Sequence, residues 1–323
     1  MTGMPLPLPS ALPLPHAALP DPHGRLGAGF NRRHFFFRHA LLCRPLFTLD
    51  GLNALAMRIH NRSDLAYWTN GPVEVTDGWH RGARKLPLRQ TLSHIASNDS
   101  LVILRKVQRD VVFASLLGDL LSTLIMRCGG RLADDVVSAE ASILVASPGR
   151  ITPYHLDAEP HFLLQVLGEQ DLSVFDATDR DLVSEQDLER YHAGDEDSVG
   201  YPRSRQGEAG MYYQYADRGV HIPAHAPHWS RSRDSVSVAL RLSFKLRSVV
   251  HSSRVRRVNH WLRSSGMRPT PPGVHQWIDR LKLAPEDTFA AARTLARRAR
   301  NALSLQAPAG TPTTGDQPAR GMH

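Results

Sequence analysis

The chain has 323 residues, 41% hydrophobic and 22% charged, which is enough for one large domain or two small ones with a proper core. Lys and Arg outnumber Asp and Glu by 39 to 31, a formal charge of +8, and the two cysteines are Cys43 and Cys128. Two cysteines without zinc-motif spacing exclude a disulfide framework and point to a reducing cytoplasm, and no apolar run reads as a membrane span.

Residues 1–29 alternate Pro and Leu between Pro5 and Pro15, which reads as a disordered or polyproline II arm; prolines interrupt the apolar stretch that a signal peptide needs. Between 31 and 64 the apolar residues Leu46, Leu49, Leu52, Leu55, Ala56 and Ile59 recur at helical spacing, and Thr48-Leu49-Asp50 is positioned to cap a helix running to His60. Phe35-Phe36-Phe37 reads as an early core strand or turn, and Trp68, Trp79 and the Gly71-Pro72 turn mark a loop-rich stretch. A short helix over 88–97, a strand over 101–107 and an apolar helix over 110–127 follow, then a buried strand, Ala141 to Ala146, that leads into the chemically richest part of the chain.

That part is Ile151 to Gln170, where His155 and Asp157 stand two residues apart at the start of an apolar strand. In a strand i and i+2 share a face, so the imidazole and the carboxylate are expected to project together. A His-x-Asp alone is common by chance, and most such histidines are surface or satisfied core groups. Here a strand follows, and about seventy residues on a Pro-rich segment offers His221, His225 and His228 ahead of a second strand, 235–246. Two histidines and a carboxylate on one face of an octahedron leave open positions on a metal, the arrangement of non-haem Fe(II) oxygenases.

Residues 147–244 resemble a JmjC or cupin-like hydroxylase domain of the Fe(II)/2-oxoglutarate oxygenases. Thr152, His155 and Asp157 match the family's Thr-x-x-His-x-Asp, and Ile222-Pro223 followed by His228 is similar to its Ile-Pro-x-x-x-x-His. The resemblance implies His155, Asp157 and His228 as metal ligands, with His221 and His225 as close competitors, and no catalytic side chain beyond the metal centre. It implies a double-stranded β-helix, an antiparallel jelly roll with N-terminal helical decoration and a C-terminal helical subdomain, and hydroxylation of a protein side chain or small metabolite coupled to 2-oxoglutarate decarboxylation. One position departs from the pattern: Gln170 stands where the family has Lys or Arg, and a neutral amide cannot neutralise a dicarboxylate. Arg241 in Arg241-Leu242-Ser243 resembles the Arg-x-Ser of other oxygenase branches, which implies Thr152, Gln170, Arg241 and Ser243 as the co-substrate set; Lys245 is an alternative of the same strand parity.

Residues 178–210 form an acidic insertion, read as solvated loop or as a lid, and Met211 to Tyr215 returns the chain to the barrel. Between Lys245 and Arg300 the basic residues exceed the acidic ones by ten. Short helices are expected around a turn at Pro269 to Gly273, and a longer one over 286–303 with an apolar stripe at Phe289, Leu295 and Leu303 fits a homodimer interface. The expected divisions are an arm, 1–29; a barrel domain, 30–246; a basic helical subdomain, 247–303; and a disordered tail, 304–323. Two readings of other classes stand beside the enzyme: a cupin-like metal-binding protein without turnover, which Gln170 favours, and a regulatory protein associated with nucleic acid through its basic segment.

Overall fold

The computed structural model describes residues 19–284, apart from 22, 43, 60–62 and 79–82. The chain divides into two units, Met1–Pro271 and Pro272–His323. The strands of the first are β1 (Phe35–Arg38), β2 (Ala66–Asn70), β3 (Ser100–Leu104), β4 (Val136–Ala146), β5 (Ile151–His155), β6 (His161–Leu167), β7 (Glu169–Val174), β8 (Gly210–Tyr215), β9 (Arg218–Ile222), β10 (His228–Ser232) and β11 (Ser237–Leu246). Its α-helices are α1 (Arg25–Gly29), α2 (Leu49–Ile59), α3 (Leu88–Ser93), α4 (Val111–Cys128), α5 (Gly130–Ala133), α6 (Glu185–Ala193) and α7 (Arg247–Ser264).

The strands build two antiparallel sheets, a seven-stranded one in the order β1-β9-β6-β11-β4-β3-β2 and a four-stranded one in the order β5-β10-β7-β8. Successive strands β4 to β7 and β9 to β11 pass between the sheets, so the fold is a jelly roll with helical additions.

Period-two alternation on β11 shows how the larger sheet is used. Leu240, Leu242 and Phe244 pack with Phe162, Leu164, Ile143 and Val145 of its neighbours and with Leu52, Phe113 and Leu117 of the covering helices. Arg241 and Ser243 have the opposite parity and face the barrel interior.

Helix α4 follows from its sequence. Asp110 caps it by accepting from the Val112 N–H at 3.0 Å, and Arg58 holds the same carboxylate at 2.6 Å. Phe113, Leu116, Leu117, Leu120 and Leu124 then fall on one face and are buried, each contributing roughly 1.5–3 kcal/mol. This helix corrects the expectation that no stretch reaches membrane-spanning length: its 18 residues have a mean hydropathy of 1.7 and suffice by length and composition. Its apolar face belongs to the core of the larger sheet.

Two other expectations change. Ala66–Asn70 is a strand, paired along its length with β3, where the tryptophans and the Gly-Pro turn suggested a loop. The acidic stretch 178–210 contains α6, whose start is a capping box: Ser184 Oγ accepts from the Asp187 N–H at 3.1 Å and Asp187 accepts from the Ser184 N–H at 2.9 Å.

Helix α6 lies against α7, and the surplus charges of the two segments meet there. Arg256 pairs with Glu185 at 2.7 Å and Arg263 with Glu189 at 2.7 Å, so part of the basic surplus is matched by the acidic insertion. The start of α7 is tied to the barrel by the Arg247 N–H donating to the Asp135 carbonyl at 2.7 Å. The division expected at 246/247 accordingly falls after Pro271, and α7 belongs to the barrel unit.

In the second unit a helix begins at 276, and the Gly273 N–H donates to Asp279 at 2.7 Å. Of the expected arm over 1–29, residues 25–29 form α1 with Leu26 buried in the core, which corrects the disorder expected there, while residues 1–18, the helix over 286–303 with its dimer interface, and the tail over 304–323 lie outside the described residues.

Candidate metal centre

Strand β5 enters the site from a fixed point. The Arg150 guanidinium is buried and donates to the Thr69 hydroxyl at 2.8 Å and to the Gly71 carbonyl, tying the start of β5 to the end of β2. Along β5, His155 lies opposite His228 and Thr152 opposite Ser230, so three residues of β5 span two of β10. This bulge turns Thr152 and His155, three apart in sequence, to the same inward face as His228 and Ser230.

Asp157 reaches the site by a different route from the one strand geometry suggests. Strand β5 ends at His155, and Asp157 lies beyond it, held by its carbonyl accepting the His225 N–H at 2.7 Å. Leu156 between them packs with Val183 and Leu188 of the α6 segment.

Asp157 Oδ2 stands 3.9 Å from His155 Nε2 and 3.6 Å from His228 Nε2, and one ligand atom from each residue lies within 4.8 Å of the others. His155 Nδ1 is 2.8 Å from the Pro153 carbonyl and His228 Nδ1 is 2.9 Å from the Ala226 carbonyl. A carbonyl only accepts, so each Nδ1 carries the proton and each Nε2 presents a lone pair toward a carboxylate oxygen that is itself buried without a hydrogen-bond donor. Three electron pairs converging in this way are costly unless a cation lies among them, and the residues fit a divalent metal.

Electrostatics agree with this. Burial pushes His228 down to about 3 and His155 below its ordinary value, so both imidazoles are neutral at pH 7. Burial acts to raise the Asp157 carboxyl, yet Arg241 and the surrounding histidines hold it well below the ordinary carboxylate range.

The other candidate histidines are engaged elsewhere. His221 is fully buried on the outer face of β9, its Nε2 accepting the Asn31 N–H at 2.9 Å and its Nδ1 donating to the His161 carbonyl at 3.0 Å. His225 Nε2 is 2.9 Å from His192 Nε2. His161 was not singled out by the sequence, and its Nδ1 lies 3.6 Å from Asp157 Oδ2. Its position on the inward parity of β6, alongside Leu163 and Gln165, was the available signal.

The expected co-substrate residues separate into two pairs. Arg241 and Ser243 line a cavity of about 420 Å³ beside His155 and Asp157, together with Arg105, Glu140, Ser142 and Tyr191. Within it Arg241 Nη2 is 2.9 Å from Asp157 Oδ1. Gln170 faces the interior from β7, but its amide donates to Gln214 Oε1 at 2.9 Å; neither it nor Thr152 lines this cavity. Lys245 borders a different cavity, with His192 and Arg257.

No protein-family model matches the chain, and no curated protein does. Among solved structures it is similar to the ribosomal oxygenase YcfD of Escherichia coli, at 15% identity and a TM-score of 0.44 over 80% of this chain and 62% of that one. It is also similar to the same oxygenase in complex with cobalt and 2-oxoglutarate, at 14% identity and a TM-score of 0.42 over 80% and 64% of the two chains. A Bacillus subtilis oxalate decarboxylase is similar at 15% identity and a TM-score of 0.23, over 33% of this chain and 21% of that one. The chain spans about three-fifths of the oxygenase chains it matches.

Proposed function

We propose that this chain is an Fe(II)- and 2-oxoglutarate-dependent oxygenase that hydroxylates a protein side chain or a small metabolite. The observation that carries the reading is the convergence of two imidazole lone pairs and a donor-free carboxylate oxygen at the edge of a jelly-roll cavity. When bound, the metal and co-substrate supply the oxidising chemistry. His155, Asp157 and His228 hold the metal on one side and leave its other positions open. Arg241 and Ser243 offer a guanidinium and a hydroxyl to a carboxylate in the cavity, whose wall also includes Tyr191. Backbone carbonyls fix the tautomers of both histidines, which orients the ligands before the metal arrives.

A second reading, a metal-binding protein without turnover, is favoured by the engagement of Gln170 with Gln214 and of Arg241 with Asp157. Two measurements separate the readings. Purified protein is expected to bind one Mn(II) per chain, and the double variant His155→Ala/Asp157→Ala none; unchanged metal content in the variant removes the site. Wild type with Fe(II), ascorbate and 2-oxoglutarate is expected to form succinate, and metal binding without succinate or 2-oxoglutarate affinity decides for the non-catalytic reading.

A further inference from the structure

The Asp157 carboxylate is shared: Oδ2 faces the histidines, while Oδ1 is held at 2.9 Å by Arg241. A guanidinium in that position draws electron density from a ligand carboxylate and adds a positive charge beside the place a divalent cation takes. Its hold is incomplete, however. Arg241 contacts Asp157 through Nη2, while its Nε is buried without a hydrogen-bond partner. Nε and one terminal nitrogen form the edge of the fork that receives a carboxylate in bidentate fashion, and Asp157 occupies one prong of the guanidinium. The same side chain lines the cavity beside the hydroxyl of Ser243; Arg105 and Lys106 line it too, as do the carboxylates of Asp64, Glu140, Glu159 and Glu196, so the unfilled edge of the Arg241 fork is what an anionic guest would take there.

We propose that Arg241 couples metal and carboxylate binding: a carboxylate ligand in the cavity takes the guanidinium fork, releases Asp157 Oδ1, and thereby strengthens the metal site. The coupling rests on the oxygenase reading above and goes beyond it, because it assigns Arg241 a regulatory part in metal affinity as well as a place in the co-substrate pocket. It is reciprocal, so the metal raises carboxylate affinity by the same factor. Without the carboxylate the centre holds its metal weakly; with it the two are retained together.

The test uses the full chain and two probes, Mn(II) and glutarate, which has the two carboxylates of 2-oxoglutarate and lacks the oxo group that chelates a metal. Mn(II) affinity is measured by calorimetry with and without saturating glutarate. Wild type is expected to bind Mn(II) about tenfold more tightly with glutarate, a factor within the usual range for coupled sites. Arg241→Gln is expected to bind Mn(II) more tightly than wild type without glutarate and to lose the glutarate effect, with Arg241→Lys between the two. Disruption of the barrel cannot raise metal affinity, and the glutarate effect in wild type needs no variant. Wild type that binds Mn(II) with no response to glutarate, or Arg241→Gln that binds it more weakly, overturns the coupling while leaving the metal centre intact. Wild type that binds no Mn(II) overturns the oxygenase reading and the coupling with it.

Discussion

Replacing His221 by Gln tests whether this histidine is a neutral structural group, as its bonding indicates. The imidazole is fully buried and lies tilted against Phe162 at 4.6 Å and against Phe35 at 5.0 Å. It accepts from the Asn31 N–H and donates to the His161 carbonyl, so both ring nitrogens are used in the uncharged form. Burial pushes its pKa from 6.5 down to about 3. Below pH 6.5 the unfolded chain therefore takes up a proton that the folded chain refuses. The stabilisation is complete above 6.5 and is lost progressively as pH falls toward about 3. Each pH unit in that window is worth about 1.4 kcal/mol, so acidification from pH 7.5 to 4.5 removes about 3 kcal/mol through this residue. An amide side chain can accept and donate but does not titrate. Urea unfolding at the two pH values is expected to show a loss about 3 kcal/mol smaller in His221→Gln than in wild type, the other histidines cancelling in the comparison. Mn(II) affinity at pH 7.5 is expected to be unchanged. Equal losses in the two proteins refute the buried neutral state, and a variant that no longer binds Mn(II) returns His221 to the ligand set.

The junction of α6 and α7 yields two further predictions. Glu189 is 1% exposed and bonded twice by Arg263, at 2.7 and 3.0 Å, so Arg263→Ala strands a buried carboxylate and is expected to cost about 2–3 kcal/mol by urea unfolding; a loss under 0.5 kcal/mol counts against the pairing. Ser184→Ala removes the cap of α6 and is expected to cost about 1 kcal/mol, read as a lower midpoint at unchanged denaturant slope.

Much of the barrel was legible because its signals are local. The apolar faces of α2 and α4, the strand after His155 and the return strand at 210–215 follow from hydrophobic period alone. The convergence of His155, Asp157 and His228 was legible as a motif, but the reason offered for it was incomplete: His155 and Asp157 meet because the chain leaves the strand between them, whereas Thr152 and His155 share a face only through a bulge that no periodicity announces. Helix α6 was obscured by its acidic composition although Ser184 and Asp187 carry a capping signature. The matching of Glu185 and Glu189 to Arg256 and Arg263, more than seventy residues away, is tertiary information. The partner of Arg241 was likewise invisible, since nothing local joins β11 to Asp157, two residues beyond the end of β5.

Strand β11 has a consequence for how this protein can vary. Between Ala239 and Ser243 it is paired without irregularity to β4 on one side and to β6 on the other, so its backbone has no freedom to slide. Arg241 and Ser243 address the cavity while Leu240 and Leu242 face the apolar core, and a shift of one residue would exchange Arg241 for Leu240 or Leu242. Tolerance to substitution should therefore alternate residue by residue along this strand, with volume selected at 240 and 242 and charge and hydrogen bonding at 241 and 243. An insertion within it would damage folding and the Asp157–Arg241 contact beside the two histidines in the same event.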